Sequence, residues 1–162
     1  MVREIFLIAH NIRSTHNVGA IFRTAEGFGV SMIILSGYTP YPMQKSDERL
    51  PHIRDKITAQ IHKTALGAET MVPFEYHEDI TEWLKTHPSM PLVALEQTEN
   101  SVPIADFEPP KKFALILGEE VSGIDKNLLA TCDYAVEIPM VGKKESFNVS
   151  VATGIALYQL SR

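Results

Sequence analysis

From one end of the chain to the other, short apolar runs alternate with segments whose apolar positions recur at helical spacing. The runs Glu4 to Ala9, Met32 to Ser36, Val72 to Tyr76, Leu92 to Glu96, Phe113 to Leu117 and Tyr134 to Ile138 predict strands. Several are apolar without alternation, as parallel strands covered on both faces must be. Helices are predicted at His16 to Phe28, Lys56 to Ala65, Asp79 to His87, Asp125 to Thr131 and Val149 to Leu160. No Ser/Gly linker or internal repeat interrupts the alternation, so residues 1–162 read as one α/β domain. A mostly parallel sheet with helices on both faces follows, and the pattern alone predicts an ordinary doubly wound sheet. The stretch from Gly37 to Ile53 is too long for a plain connection and reads as functional or mobile.

In the first helix Val18, Ile21, Phe22, Ala25 and Phe28 share one face, and Arg23 projects from the polar side. Ser14, Thr15 and Asn17 are good cap residues, and the free N–H groups at this helix start can meet an anion. The alternative is a plain amphipathic helix with Arg23 paired to Glu26 and with Gly27 and Gly29 closing its end. The last helix carries Val149, Val151, Ala152, Ile155, Ala156, Leu157, Tyr158 and Leu160 around almost its whole circumference. That predicts burial on nearly every side, and hence a homodimer. Gly154 costs the helix about 1 kcal/mol relative to Ala, which predicts a close backbone contact there.

Composition narrows the function classes. With 44% hydrophobic and 22% charged residues the chain is an ordinary globular domain. The longest apolar runs are far shorter than a membrane span, and the N-terminus has no apolar leader pattern. One cysteine, Cys132, excludes an internal disulfide and a cysteine-rich zinc site, and no His-x-x-x-His pair occurs, so no metal site is predicted. These features predict a cytoplasmic location. The net charge of −5 argues against nucleic-acid binding by bulk positive charge. Its distribution is uneven, however: +3 over residues 1–63, −10 over 64–137 and +2 over 138–162. A cationic face forms if the fold brings the two ends together.

Chemistry-bearing residues concentrate where a predicted strand hands over to a loop or helix, the place where open parallel sheets bind ligands. Besides Asn11 to Ala25, these are Leu117-Gly118-Glu119-Glu120-Val121-Ser122-Gly123 and Ile138 to Ala156. The glycines of the second segment let the backbone turn sharply, but neither Gly-x-Gly-x-x-Gly nor a Walker loop is present. Its acidic side chains repel phosphate and tolerate a cationic ligand. In the third segment Ser146 or Asn148 can cap the helix that follows.

Taken together and in this order, the segments resemble the three motifs of the SpoU/TrmH family within the SPOUT class of RNA methyltransferases. The resemblance rests on Asn17, Gly19, Arg23 and Thr24; on Gly118-x-Glu120-x-x-Gly123; and on Pro139, Ser146, Asn148 and Ser150. Two departures, Phe147 for the usual Leu and Thr153-Gly154 where Ala is common, touch no polar site residue. The resemblance implies S-adenosylmethionine as methyl donor, a ribose 2′-hydroxyl of RNA as acceptor, a C-terminal trefoil knot and an obligate dimer. It implies catalytic roles for Arg23, Asn17, Glu120, Ser146 and Asn148. Cofactor contacts are implied at Glu96, Gln97, Thr98, Gly118, Glu119, Gly123, Ile138, Pro139, Met140, Ser146 and Phe147. Arg13, Arg23, Lys45, Arg49, Arg54, Lys56, Lys143 and Lys144 are the candidates for RNA phosphate contacts. The chain starts just before its first strand and ends within its last helix, which predicts no appended RNA-binding domain. tRNA is then the first expectation and rRNA the second. A non-catalytic RNA-binding or ribosome-assembly protein and a base methyltransferase are the competing readings.

Overall fold

The computed structural model describes residues 2–162; Met1, part of the single-domain reading, lies outside the described residues. Its central strands are the most apolar runs of the chain. Strand β1 (Glu4–His10) and strand β6 (Lys112–Leu117) lie side by side, in register from Glu4 opposite Lys112 to Ala9 opposite Leu117. Around them stand β2 (Met32–Ser36), β3 (Phe74–His77), β4 (Leu92–Leu95), β5 (Val102–Pro103) and β7 (Tyr134–Glu137). The sheet has seven strands in the order β3-β2-β1-β6-β4-β7-β5, and every pair is parallel. Such a sheet must be covered on both faces, which is why β1 and β6 read as continuous apolar runs.

Helices α1 (Thr15–Gly27), α2 (Pro51–Ala65) and α5 (Val149–Leu160) cover one face, and α3 (Ile80–Thr86) and α4 (Lys126–Ala130) the other. On the first face Phe22 and Leu157 pack with Ile5, Leu7 and Leu115; on the second, Trp83 and Leu128 pack with Ile8, Ile34 and Ile116. Each helix start has a chemical reason. Ser14 caps α1 by accepting from Asn17 N, Asp79 caps α3, Asp125 caps α4, and Asn148 caps α5 by accepting from Ser150 N. At the other end of α1, Gly29 takes φ +66 just beyond the cap residue Phe28, as a Gly-terminated helix does.

The structure corrects two expectations. The strand order is not that of an ordinary doubly wound sheet, because β6 inserts between β1 and β4 and the chain then crosses β4 to form β7. Helix α2 begins at Pro51, not Lys56, since proline at a helix start loses no hydrogen bond the helix would have made. Helix α5, expected to be covered by a second subunit, leaves one side open within the protomer, where Val151 and Tyr158 are 51% and 53% exposed. On that open side Gly154 meets no close backbone of its own protomer: a Cβ there would touch only Thr24 Cγ2, at an ordinary 3.7 Å.

The segment from Gly37 to Leu50 is pinned rather than loose. The Arg49 guanidinium donates to the Tyr41 and Pro42 carbonyls at 2.9 and 3.3 Å, pairs with Asp47, and lies 3.6 Å from the centre of the Tyr41 ring. Tyr41 in turn stacks on Tyr76 at 3.9 Å between ring centres. The Arg49 guanidinium holds the Asp47 carboxyl far below the usual carboxylate range.

Gly19 is where α1 and α2 cross. A Cβ there would lie 2.1 Å from Thr64 Oγ1 and 2.3 Å from the Ile61 carbonyl oxygen, while Thr64 Oγ1 donates to His16 O at 2.8 Å. Alanine would ordinarily stabilise a helix interior, but here backbone blocks it. We expect Gly19→Ala to destabilise the protein by about 2 kcal/mol, read as a lower denaturant midpoint with unchanged slope. An unchanged midpoint would show that the helices can part without cost.

Candidate active site

The carboxyl ends of β4, β6 and β7 open onto one cleft of about 310 Å³. Its apolar walls are Leu95, Leu117, Ile138, Met140, Phe147, Val149 and Ala152. Its polar rim holds Glu96, Glu119, Glu120, Glu137 and Glu145, and no Lys or Arg lines it. An acid-lined apolar cleft suits a flat apolar ring joined to a cationic group and opposes a pyrophosphate.

The loop from Gly118 to Gly123 is the cleft's floor, and its backbone folds back on itself. Glu119 N donates to Gly123 O at 3.1 Å, and Gly123 N returns to Glu119 O at 3.0 Å. Both glycines are obligatory for this turn. A Cβ on Gly118 would lie 2.4 Å from Gly123 C and Ile124 N, and Gly123 has φ +72 with its open side against the Glu96 carboxylate. Glu96 ties the end of β4 to this loop: Oε2 accepts from Ile124 N at 2.9 Å and Oε1 from Gln97 N at 3.0 Å. Glu119 receives the Ser122 hydroxyl and pairs with Arg13 Nη2 at 2.7 Å, and these partners keep its carboxyl below the usual range and therefore charged.

One hydrogen-bonded chain joins all three sequence segments. Asn148 Nδ2 donates to Asn17 Oδ1 at 3.2 Å, Asn17 Nδ2 donates to Glu120 Oε1 at 3.1 Å, and Arg13 N donates to Glu120 Oε2 at 3.3 Å. Asn148 Oδ1 meanwhile accepts from Ser150 N and Ser150 Oγ, which fixes the start of α5. Residues 131 positions apart thus meet beside the cleft. Each amide has its donor and acceptor assigned by its neighbours, so the chain holds β1's exit, the glycine loop and α5 in one fixed relation.

Of the residues expected at a cofactor, Glu96, Gln97, Gly118, Glu119, Gly123, Ile138, Met140, Ser146 and Phe147 line the cleft, as does Glu120. Thr98 and Pro139 do not; Thr98 turns instead toward Ser101, whose hydroxyl accepts from Thr98 N at 3.0 Å. Glu137 and Glu145 line the cleft without having been singled out, and the acidity of the middle segment was the signal that could have found Glu137. Arg23 is absent from the lining: it is exposed on α1, with no ion pair, to Glu26 or otherwise, among the described residues. Among the candidate phosphate contacts, Arg49 is committed to Asp47 and two carbonyls, which removes it from that role. Arg54 pairs with Asp55 at 2.8 Å, while Lys45, Lys56, Lys143 and Lys144 are exposed. Residues 141–148, which include Ser146, Phe147 and Asn148, are all exposed. Among the described residues no cluster of three or more His, Cys, Asp or Glu could hold a metal ion, and no helix is long and apolar enough to cross a membrane.

Comparison with known proteins gives concordant matches. A family model described as the SpoU rRNA Methylase family matches residues 4–158. The 23S rRNA (guanosine-2′-O-)-methyltransferase RlmB of Acinetobacter baylyi is 30% identical over 163 aligned residues, covering 99% of this chain and 60% of that protein. The tRNA (guanosine(18)-2′-O)-methyltransferase of Aquifex aeolicus is 28% identical, covering 99% of this chain and 70% of that protein. The chain therefore spans about three fifths to seven tenths of the length of these curated relatives. The crystal structure of the AdoMet-bound rRNA methyltransferase from Sinorhizobium meliloti superposes with a TM-score of 0.80 at 23% identity, over 98% of this chain and 56% of that one. That likeness shows the same fold.

Proposed function

The chain belongs to the SpoU rRNA methylase family, and from that premise we propose that it methylates a ribose 2′-hydroxyl of RNA with S-adenosylmethionine as donor. The observation that carries the reading is the chain Asn148–Asn17–Glu120, which fastens the family's three motifs beside one acid-lined cleft. The residues present fit the cofactor. Leu117, Ile138, Met140 and Phe147 offer an apolar wall for an adenine ring, and the glutamates oppose no positive charge. When bound, S-adenosylmethionine supplies a methyl group already activated on a cationic sulfur, so the protein's task is mainly to position and to exclude water.

The chain's own residues divide that task. Glu96 and the two glycines shape the backbone that holds the donor, and Glu120 and Asn148 fix the mouth of the cleft against α1. Arg23 is protonated under all ordinary conditions and so cannot serve as a simple base. Its role is to hold a phosphate beside the target ribose and to stabilise charge on the hydroxyl oxygen as the proton leaves to water or phosphate. Since Arg23 does not line the cleft of its own protomer, the reading places Arg23 of the partner subunit there. Exposed Val151 and Tyr158, on the face of α5 that includes Gly154, with exposed Phe147 nearby, support a dimer that buries this face and gives Gly154 its close contact. A knotted C-terminus belongs to the same reading. Its support is the path of the chain, which crosses β4 to form β7 and then returns to pack α5 on α1.

The test is methyl transfer from labelled S-adenosylmethionine into size-fractionated unmodified tRNA and rRNA, followed by nucleoside analysis. Both fractions are needed, because relatives named for each RNA match this chain. A 2′-O-methylated nucleoside is expected in one fraction, with tRNA the first expectation. Label on a base would move the reading to base methylation. Failure to bind the cofactor would replace it with a non-catalytic RNA-binding role.

A further inference from the structure

At the carboxyl ends of β1 and β2 the backbone is held in a costly arrangement whose product is one exposed aromatic ring. Asn11 has φ +55 and Gly37 φ +64, side by side, and a Cβ on Gly37 would lie 1.8 Å from Asn11 Oδ1. That same Oδ1 accepts from Tyr38 N at 3.1 Å. The next residue, Thr39, is 2% exposed, and its hydroxyl donates toward the Ala9 and Ser36 carbonyls at 3.0 and 2.7 Å while accepting from Ile12 N at 3.0 Å. A left-handed Asn, an obligatory Gly and a buried Thr therefore clamp both flanks of Tyr38, yet Tyr38 itself is 54% exposed. Strain of this kind gathers where a side chain must be presented to a ligand.

The neighbours say which ligand. Arg13, 67% exposed at its side chain, pairs with Glu119 at 2.7 Å. Asn11, whose side chain holds Tyr38 N, stands two residues before Arg13, and the Tyr38 hydroxyl helps to raise the Arg13 guanidinium above its usual range. Arg13 N also donates to Glu120, so the ring and the guanidinium stand on the lip of the cleft. A rigid π-face beside a solvent-facing guanidinium matches a base and its phosphate.

We propose that Tyr38 and Arg13 form a nucleotide subsite on the lip of the cleft: the Tyr38 ring stacks on a base next to the methylated nucleotide, and Arg13 exchanges Glu119 for that nucleotide's phosphate. This rests on the methyltransferase reading and adds to it the element that orients the RNA strand. The subsite acts on RNA and not on the cofactor, since neither residue lines the cleft.

The experiment uses whichever RNA fraction the wild-type protein labels and compares Tyr38→Ala, Tyr38→Phe and Arg13→Gln. Tyr38→Ala should raise the KM for RNA about ten-fold, the scale of one base–aromatic stack, with cofactor Kd unchanged. Tyr38→Phe keeps the ring and should retain the wild-type KM. Arg13→Gln should raise the KM for RNA and lower the slope of log affinity against log salt by about one. A wild-type KM for Tyr38→Ala overturns the proposal. So does a Tyr38→Phe variant as weak as Tyr38→Ala, which would make the hydroxyl a prop for the Glu119 loop, and so does a cofactor Kd that rises in step with the RNA KM. If the wild-type protein binds cofactor but labels no RNA, the methyltransferase reading falls and this subsite with it, an outcome separate from failure of the variants alone.

Discussion

Arg23→Ala should abolish methyl transfer and leave S-adenosylmethionine affinity within about a few fold of wild type, because on the proposed reading the guanidinium acts on charge developing in the transition state and not on the bound cofactor. The place of Arg23 in its own chain supports the second half of that expectation. Arg23 stands on the exposed side of α1, opposite Val18, Ile21, Phe22 and Ala25, and does not line the cleft of its own protomer. Its removal exposes no core and breaks no ion pair among the described residues, so the thermal midpoint should stay put as well. Single-turnover rates with saturating RNA, alongside calorimetric titration of the cofactor, separate the two effects. Substantial turnover in Arg23→Ala would remove this residue from the chemistry, and a large loss of cofactor affinity would make it a cofactor-binding group instead.

What local pattern encodes was legible in the sequence. Met32 to Ser36 and Val149 to Leu160 match β2 and α5 residue for residue, because each is bounded by strong signals: Gly37 after the strand, the Asn148 cap before the helix. What depends on distant partners was not. No feature of Phe113 to Leu117 says that it lies between β1 and β4, since a fully apolar strand fits any interior position of a parallel sheet. Strand β5 is two residues long and is held only by its pairing with β7. The segment after Gly37 illustrates the same limit in another form. Its Pro, Gly and charges read as a functional or mobile loop, and of these mobility is excluded by Tyr76, far along the chain, which gives Tyr41 a ring to stack on and thereby fixes Arg49. Arg49 consequently looked like a phosphate ligand in the sequence and is an internal strut in the fold. The candidate site shows both cases. Gly118 and Gly123 were recognised as a sharp turn, whereas the carboxylate that makes Gly123 irreplaceable comes from Glu96 on another strand. Asn148 reads as one of two candidate caps beside Ser146, whereas its bond to Asn17 joins chain segments that no local pattern connects.

Gly118→Ala should silence the cleft by a different route, and the two silent variants together test the shared-site reading. A Cβ at position 118 meets backbone, Gly123 C and Ile124 N at 2.4 Å, so no rotamer relieves it and the paired Glu119–Gly123 turn must open. Overpacking of this kind costs about 2 kcal/mol, which corresponds to a loss of cofactor affinity of about thirty-fold or more if the strain is relieved by spreading the loop. The loop is on the surface, so the fold should persist; an unchanged cofactor Kd would mean that this cleft is not where the cofactor binds. Arg23→Ala and Gly118→Ala chains can then be mixed after partial denaturation and refolding. If Arg23 reaches into the partner's cleft, half the dimers regain one complete site, formed by the intact loop of one chain and the intact arginine of the other, and about a quarter of wild-type activity returns. If each arginine serves its own chain, every site in the mixed dimer keeps one defect and no activity returns. The mixture thus decides whether the exposed arginine of α1 and the open face of α5 have the same cause, a second copy of the chain that closes both.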